Sequence, residues 1–154
     1  MRLADYVRPE YVTAELTADD MEGALRALST HLAERQVVKD GAEVTAALLK
    51  REQAHTTAVG QGVAIPHATV NSLGSTLLMV AVAPQGIPFG PPGSEPCHVF
   101  FVLLSPRGHE SEHIKLLARI SRLVRHPGFV TRLGEAQSSE SILEAVCDID
   151  AQHV

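Results

Sequence analysis

The chain has 154 residues, with 18 Asp and Glu against 13 Lys and Arg and a formal net charge of −5. Hydrophobic residues make up 45% and aromatic residues 4%, with no tryptophan. This composition is globular. It lacks the basic patches and stacking aromatics of a nucleic-acid binder, and no apolar run reaches the roughly 18 residues of a membrane span.

The opening MRLADYVRPEYV carries Asp5 and no apolar core segment, so it does not read as a signal peptide. Cys97 and Cys147 are too few for a disulfide framework, and a cytoplasmic location without membrane insertion is the default expectation. Residues 1–16 mix apolar and acidic side chains around Pro9 and read as an edge strand or an extended arm. From Thr17, TADDMEGALRALSTHLAE sets Met21, Ala24, Leu25, Leu28 and Leu32 at helical spacing. Thr17 is the expected N-cap, with Asp19 and Asp20 at the positive end of the dipole.

A second helix is predicted from Ala42 to about Gln53, after the turn Asp40-Gly41, with Val44, Ala47 and Leu48 facing inward. HTTAVGQGVAIPHATVNSLG then has no helical period. Residues 76–83, TLLMVAVA, predict a buried strand, and Pro84-Gln85-Gly86 opens a Pro/Gly-rich segment expected to be a loop. CHVFFVLLSP predicts a second buried strand. SEHIKLLARISRLVRH predicts an amphipathic helix that begins near Ser111. In it Leu116, Leu117, Ile120, Leu123 and Val124 share a face, and Lys115, Arg119 and Arg122 lie away from it. Pro127 ends that helix or restarts a short one through Leu133. Ser138 or Ser139 caps a last helix, SESILEAVCDI, and the tail after Asp148 is expected to fray. Strands alternating with helices predict an α/β (or α+β) class, a mixed β-sheet flanked by helices in a single domain.

Chemistry concentrates in a few places among the eight histidines. In GQGVAIPHA two glycines allow a tight turn, Ile65 must be extended before Pro66, and Pro66 has a fixed φ. His67 therefore sits on a stiff backbone, as a nucleophilic imidazole needs if one nitrogen attacks while the other is held. The same pattern also fits an inert histidine at a strand end. His109 to His113, HESEH, satisfies the H-E-x-x-H string of zinc proteases. Pro106 and Gly108 just before it place His109 outside the helix, so a zinc hydrolase is a remote alternative and no metal is assigned. His113 lies in the first turn of its helix, where free N–H groups favour an anion. Arg51 closes a helix just before the His67 loop and is positioned to reach an anion. Thr57 offers a hydroxyl.

Together these residues resemble the enzyme IIA domains of the fructose, mannitol and nitrogen-regulatory phosphotransferase systems. The first match is Arg51, Glu52, Thr57, Gly60, Gly62, Ala64, Pro66 and His67, within REQAHTTAVGQGVAIPHATV. The second is VFFVLLSP followed by SEHIKLLARISRLVRHPGF, with His113 in the helix's histidine position. The resemblance covers about residues 5–148, one domain. It implies a phosphotransferase in which His67 takes a phosphoryl group from the histidine-containing phosphocarrier protein and passes it to a IIB cysteine for sugar uptake. The alternative within the family is a stand-alone nitrogen-type regulator whose phosphorylation state controls target proteins. In either case the resemblance implies that His113 helps hold the phosphoryl group, that Arg51, Thr57, Gly60 and Gly62 line the site, and that no cofactor is required. His55, Gln61 and Ala68-Thr69 depart from the family pattern and leave donor preference and subtype open.

Overall fold

In the computed structural model, which describes residues 1–153, the chain starts with 3₁₀ turns at Leu3–Asp5 and Pro9–Tyr11. It continues through β1 (Val12–Thr13), α1 (Met21–Glu34), α2 (Gly41–Ala54), β2 (Ala58–Gly60), β3 (Val63–Ala64), β4 (His67–Thr69), β5 (Leu77–Ile87), β6 (Cys97–Ser105), α3 (Glu110–Leu123), α4 (Phe129–Gly134) and α5 (Ser139–Gln152). Among the described residues the strands form one mixed, six-stranded sheet in the order β1-β5-β6-β3-β2. β5 and β6 are antiparallel, whereas β1 on β5 and β3 on β6 are parallel.

β5 and β6 are apolar on both faces because both faces are covered. Leu78, Val80, Val82, Phe101 and Leu103 pack under α3, α4 and α5. Their alternating neighbours Met79, Ala81, Phe100, Val102 and Leu104 pack under α1 and α2. Side chains alternate across a strand, so a run buried throughout requires a layer on each side. The expected class, a mixed sheet flanked by helices, is the one observed. No helix among the described residues is long and apolar enough to cross a membrane.

β4 also pairs with β6, in parallel and in line with β3. β3 and β4 are thus two pieces of one strand path, interrupted at Ile65-Pro66. Proline has no N–H to give the ladder, so the path breaks there and resumes at His67. The site is built on that break.

Several local expectations need correction. Asp20, not Thr17, caps α1: its carboxylate accepts from the Gly23 N–H at 2.8 Å. A carboxylate matches the helix dipole better than a hydroxyl, and the helix starts only after it. β5 does not stop at Ala83 but runs through Pro84-Gln85-Gly86 to Ile87, which pairs with Cys97 across an irregular register. Pro84 is tolerated because β1 pairs only with Val80 and Ala81, before the proline is reached. Gly86 has φ 77°, and a Cβ there would lie 2.9 Å from the His98 ring.

α3 starts at Glu110, one residue earlier than expected, with His109 at the N-cap position. Arg119, placed by periodicity with the solvent-facing basic residues, is 6% exposed. The tail after Asp148, expected to fray, is helical as far as Gln152 and Asp150 is fully buried, while Val154 lies outside the described residues. One interaction explains both corrections. Asp150 Oδ1 accepts from Arg119 Nη2 at 2.6 Å and Nε at 3.0 Å, while its carboxylate also accepts from the N–H groups of Leu3 and Ala4. This joins the chain start, α3 and α5.

Candidate functional site

The Leu103 N–H of β6 donates to the Pro66 carbonyl, and the Ile65 N–H donates to the Thr57 carbonyl. These bonds hold the backbone on both sides of the break. The ring of His67, the first residue of β4, folds back on this segment, with Nδ1 2.8 Å from the Ile65 carbonyl oxygen. A carbonyl can only accept, so Nδ1 carries the proton and Nε2 carries the free lone pair. The ring is half-buried. Burial lowers its pKa below the ordinary histidine value; the Ile65 carbonyl opposes this and the Arg51 charge adds to it. The ring is therefore neutral at pH 7, with a nucleophilic nitrogen.

His113, in the first turn of α3, places its ring centroid 5.6 Å from that of His67, tilted by 55°. Its Nδ1 lies 2.7 Å from the hydroxyl oxygen of Ser105, the last residue of β6. Its pKa is also lowered, first by burial and then by the repulsion that a protonated His67 would exert on a second protonated ring. The start of α3 is held by Glu112, whose carboxylate accepts from the hydroxyls of Tyr6 at 2.8 Å and Thr76 at 2.6 Å. Those two hydroxyls depress its pKa, with His109 adding to the effect.

The other candidate residues take different places. Arg51 lies in the last turn of α2, half-buried, with Nη1 donating to the His55 carbonyl at 2.8 Å. Its charge reaches the His67 ring. Thr57 is buried, and both its N–H (2.5 Å) and its hydroxyl (2.7 Å) donate to the Glu52 carboxylate. Gly60 (φ 91°) and Gly62 (φ 77°) form the turn between β2 and β3. The Gly62 carbonyl accepts from the N–H groups of His98 and Val99, which docks the turn on β6. Gly60 lines a cleft of about 320 Å³ with Val59, Val63, Ile65, Ser121 and Val124. Ser121 is about 12 Å along the helix axis from His113, so this cleft lies beside the ring pair rather than between the rings.

HESEH does not build a helical histidine pair. His109 lies outside α3 with its Nδ1 3.2 Å from Glu112, while His113 turns to Ser105. Among the described residues no three His, Cys, Asp or Glu side chains gather as a metal would require. Ile114, next to His113 in the chain, is 66% exposed, and Val59, in the neighbouring cleft, is 56% exposed.

Sequence reasoning assigned no role to Glu52 or Ser105. Glu52 is a buried carboxylate that organises the start of β2. Its signal was present, since it stands inside the quoted match. Ser105 left only a weak signal, one polar residue ending an apolar strand.

The family model described as phosphoenolpyruvate-dependent sugar phosphotransferase system, EIIA 2, matches residues 5–148. A nitrogen regulatory protein of Bradyrhizobium diazoefficiens is 34% identical over 142 residues, 92% of each chain. A fructose-specific EIIA component of Haloferax volcanii is 28% identical over 140 residues, 91% of each. Among solved structures, the nitrogen regulatory protein IIA-Ntr of Neisseria meningitidis superposes with a TM-score of 0.83 at 19% identity, over 94% of this chain and 98% of that one.

Proposed function

The chain belongs to the phosphoenolpyruvate-dependent sugar phosphotransferase system EIIA 2 family, and on that premise we propose that it carries a phosphoryl group on Nε2 of His67. The donor is the histidine-containing phosphocarrier protein. The lone pair on Nε2 attacks phosphorus in line, and a new P–N bond forms as the donor's P–N bond breaks. The bonding electron pair returns to the donor ring nitrogen. Nδ1 keeps its proton, shared with the Ile65 carbonyl. The donor is itself a phosphoprotein, so no nucleotide loop is called for.

The observation that carries this reading is the ring pair: a neutral His67 with Nε2 free and a second ring centred 5.6 Å away. His113 and Arg51 supply positive or donor character for the phosphoryl oxygens, where transfer depends on positioning and charge stabilisation. Thr57 with Glu52 holds the strand start, and Gly60 and Gly62 shape the turn that returns the chain to His67. Exposed Ile114, next to His113, offers apolar surface to a protein donor. A cytoplasmic location goes with this reading.

The expected result is an acid-labile phosphate on the protein after incubation with phosphoenolpyruvate, enzyme I and the phosphocarrier. A wild-type chain that stays unlabelled overturns the reading. His113→Ala should still accept label but pass it on roughly 100-fold more slowly, the scale of one lost transition-state donor. Loss of labelling itself in that variant would make His113 the acceptor. The pH profile follows from the lowered pKa of His67. Uptake requires the neutral ring, so its acid limb should fall below the ordinary histidine value of 6.5. A limb at or above 6.5 would mean that the nucleophile is another group.

The two family roles differ in the acceptor. The 34% identity to a nitrogen regulatory protein supports the regulatory role, in which added charge on His67 switches partner binding. Transfer of label to a IIB cysteine supports the uptake role instead.

A further inference from the structure

Ser105 is buried at the end of β6, 1% exposed. Its position is rigid. The residue pairs with Thr69 of β4, its carbonyl accepts from the Val70 N–H at 2.8 Å, and it is held extended by the following Pro106. Among the described residues its hydroxyl oxygen has one hydrogen-bond partner, His113 Nδ1 at 2.7 Å. Two arrangements share that distance. If Nδ1–H donated to Oγ, the hydroxyl proton would be buried with no acceptor, a costly state that folded proteins avoid. If the hydroxyl donates to Nδ1, both groups are satisfied.

We propose that Ser105 is a positioning residue for His113: its hydroxyl donates to Nδ1 and holds the ring in the tautomer that keeps its proton on Nε2. This rests on the carrier reading for its purpose, though not for its geometry. The two rings then carry opposite tautomers. His67 donates its Nδ1–H to the Ile65 carbonyl and keeps a bare Nε2, which is what a nucleophile requires. His113 keeps Nε2–H, which is what a donor to a phosphoryl oxygen requires. The lowered pKa of His113 agrees with a ring that holds a single proton at neutral pH. The clamp of Tyr6 and Thr76 on Glu112 fixes the first turn of α3, so that the ring meets the hydroxyl in one register.

Long-range proton–nitrogen correlation spectra of ring-labelled wild-type protein read the tautomers directly. The expected result is a bare Nδ1 and a protonated Nε2 at His113, with the reverse at His67. A protonated Nδ1 and bare Nε2 at His113 overturns the proposal, whatever the variants do. Ser105→Ala should populate the other His113 tautomer and slow onward phosphoryl transfer about tenfold, the scale of one hydrogen bond. Ser105→Thr, which keeps the hydroxyl on a strand residue, should restore both. In a His113→Ala background, Ser105→Ala should cost nothing further. An equal cost there would make Ser105 merely structural and overturn the assignment. If the wild type takes no label but shows the expected tautomers, the carrier reading fails and the Ser105 geometry stands.

Discussion

His67→Ala is expected to take up no phosphoryl label from the phosphocarrier, a loss of more than about 1,000-fold, because the reacting lone pair itself is removed. The variant should remain folded. The side chain is half-buried and contributes one hydrogen bond, to the Ile65 carbonyl, so its loss should cost about 1 kcal/mol. The neighbouring Ala68 and the ladder to β6 involve backbone and are unaffected. Unfolding measured beside labelling therefore separates loss of the nucleophile from loss of the fold. Continued labelling of His67→Ala would move the acceptor elsewhere, first to His113. That outcome would also remove the reason for the opposite tautomers of the two rings.

The largest expected effect on stability lies far from the rings. Asp150→Ala should cost about 3–5 kcal/mol, because it leaves the Arg119 guanidinium buried without its counter-ion and orphans two backbone N–H groups. The comparison is Arg132 with Asp148 at 2.9 Å, where the side chains are 49% and 56% exposed. Asp148→Ala should cost less than about 0.5 kcal/mol, as surface pairs do. Chemical denaturation of the two variants decides the matter, and similar small losses for both would show that Asp150 is not the tie between α3, α5 and the chain start. Acid gives the same test without mutation. Burial alone would raise the Asp150 pKa, but the Ala4 and Leu3 N–H groups and Arg119 outweigh it and hold it below the ordinary value of 3.8. A depressed folded pKa contributes stability above the unfolded pKa, and that stability is lost as pH falls through the folded value. Wild-type stability should therefore drop as pH falls below about 4, and Asp150→Asn should flatten that part of the curve.

The two tests probe different links from chain to function, and they differ in how far each was legible beforehand. Cys97–Ser105 and the first part of β5 were readable as buried strands because burial on both faces leaves an uninterrupted apolar run. α3 was readable from its apolar stripe, and the stiff approach to His67 from two glycines and a proline whose backbone limits are local. The nearness of His67 to His113 was implied only by the family resemblance, since they stand 46 positions apart in the chain and no local rule joins them.

Polar partnerships were the part that periodicity missed. Arg119 and Asp150 each look solvated alone, because a charge belongs in water unless another element brings its opposite to the same buried point. Ser105 looks like a strand end, and becomes a tautomer-setting donor only where β6 and α3 meet. Glu52 becomes structural only because the chain returns to it at Thr57. Local sequence thus determined β6, the first part of β5, the helices and the stiff approach to His67, each of which follows from periodicity and backbone sterics, whereas β2, β3 and β4, short and without a periodic run, were not readable. Tertiary structure decided which buried polar groups satisfy one another, because that depends on atoms contributed by residues distant in the chain.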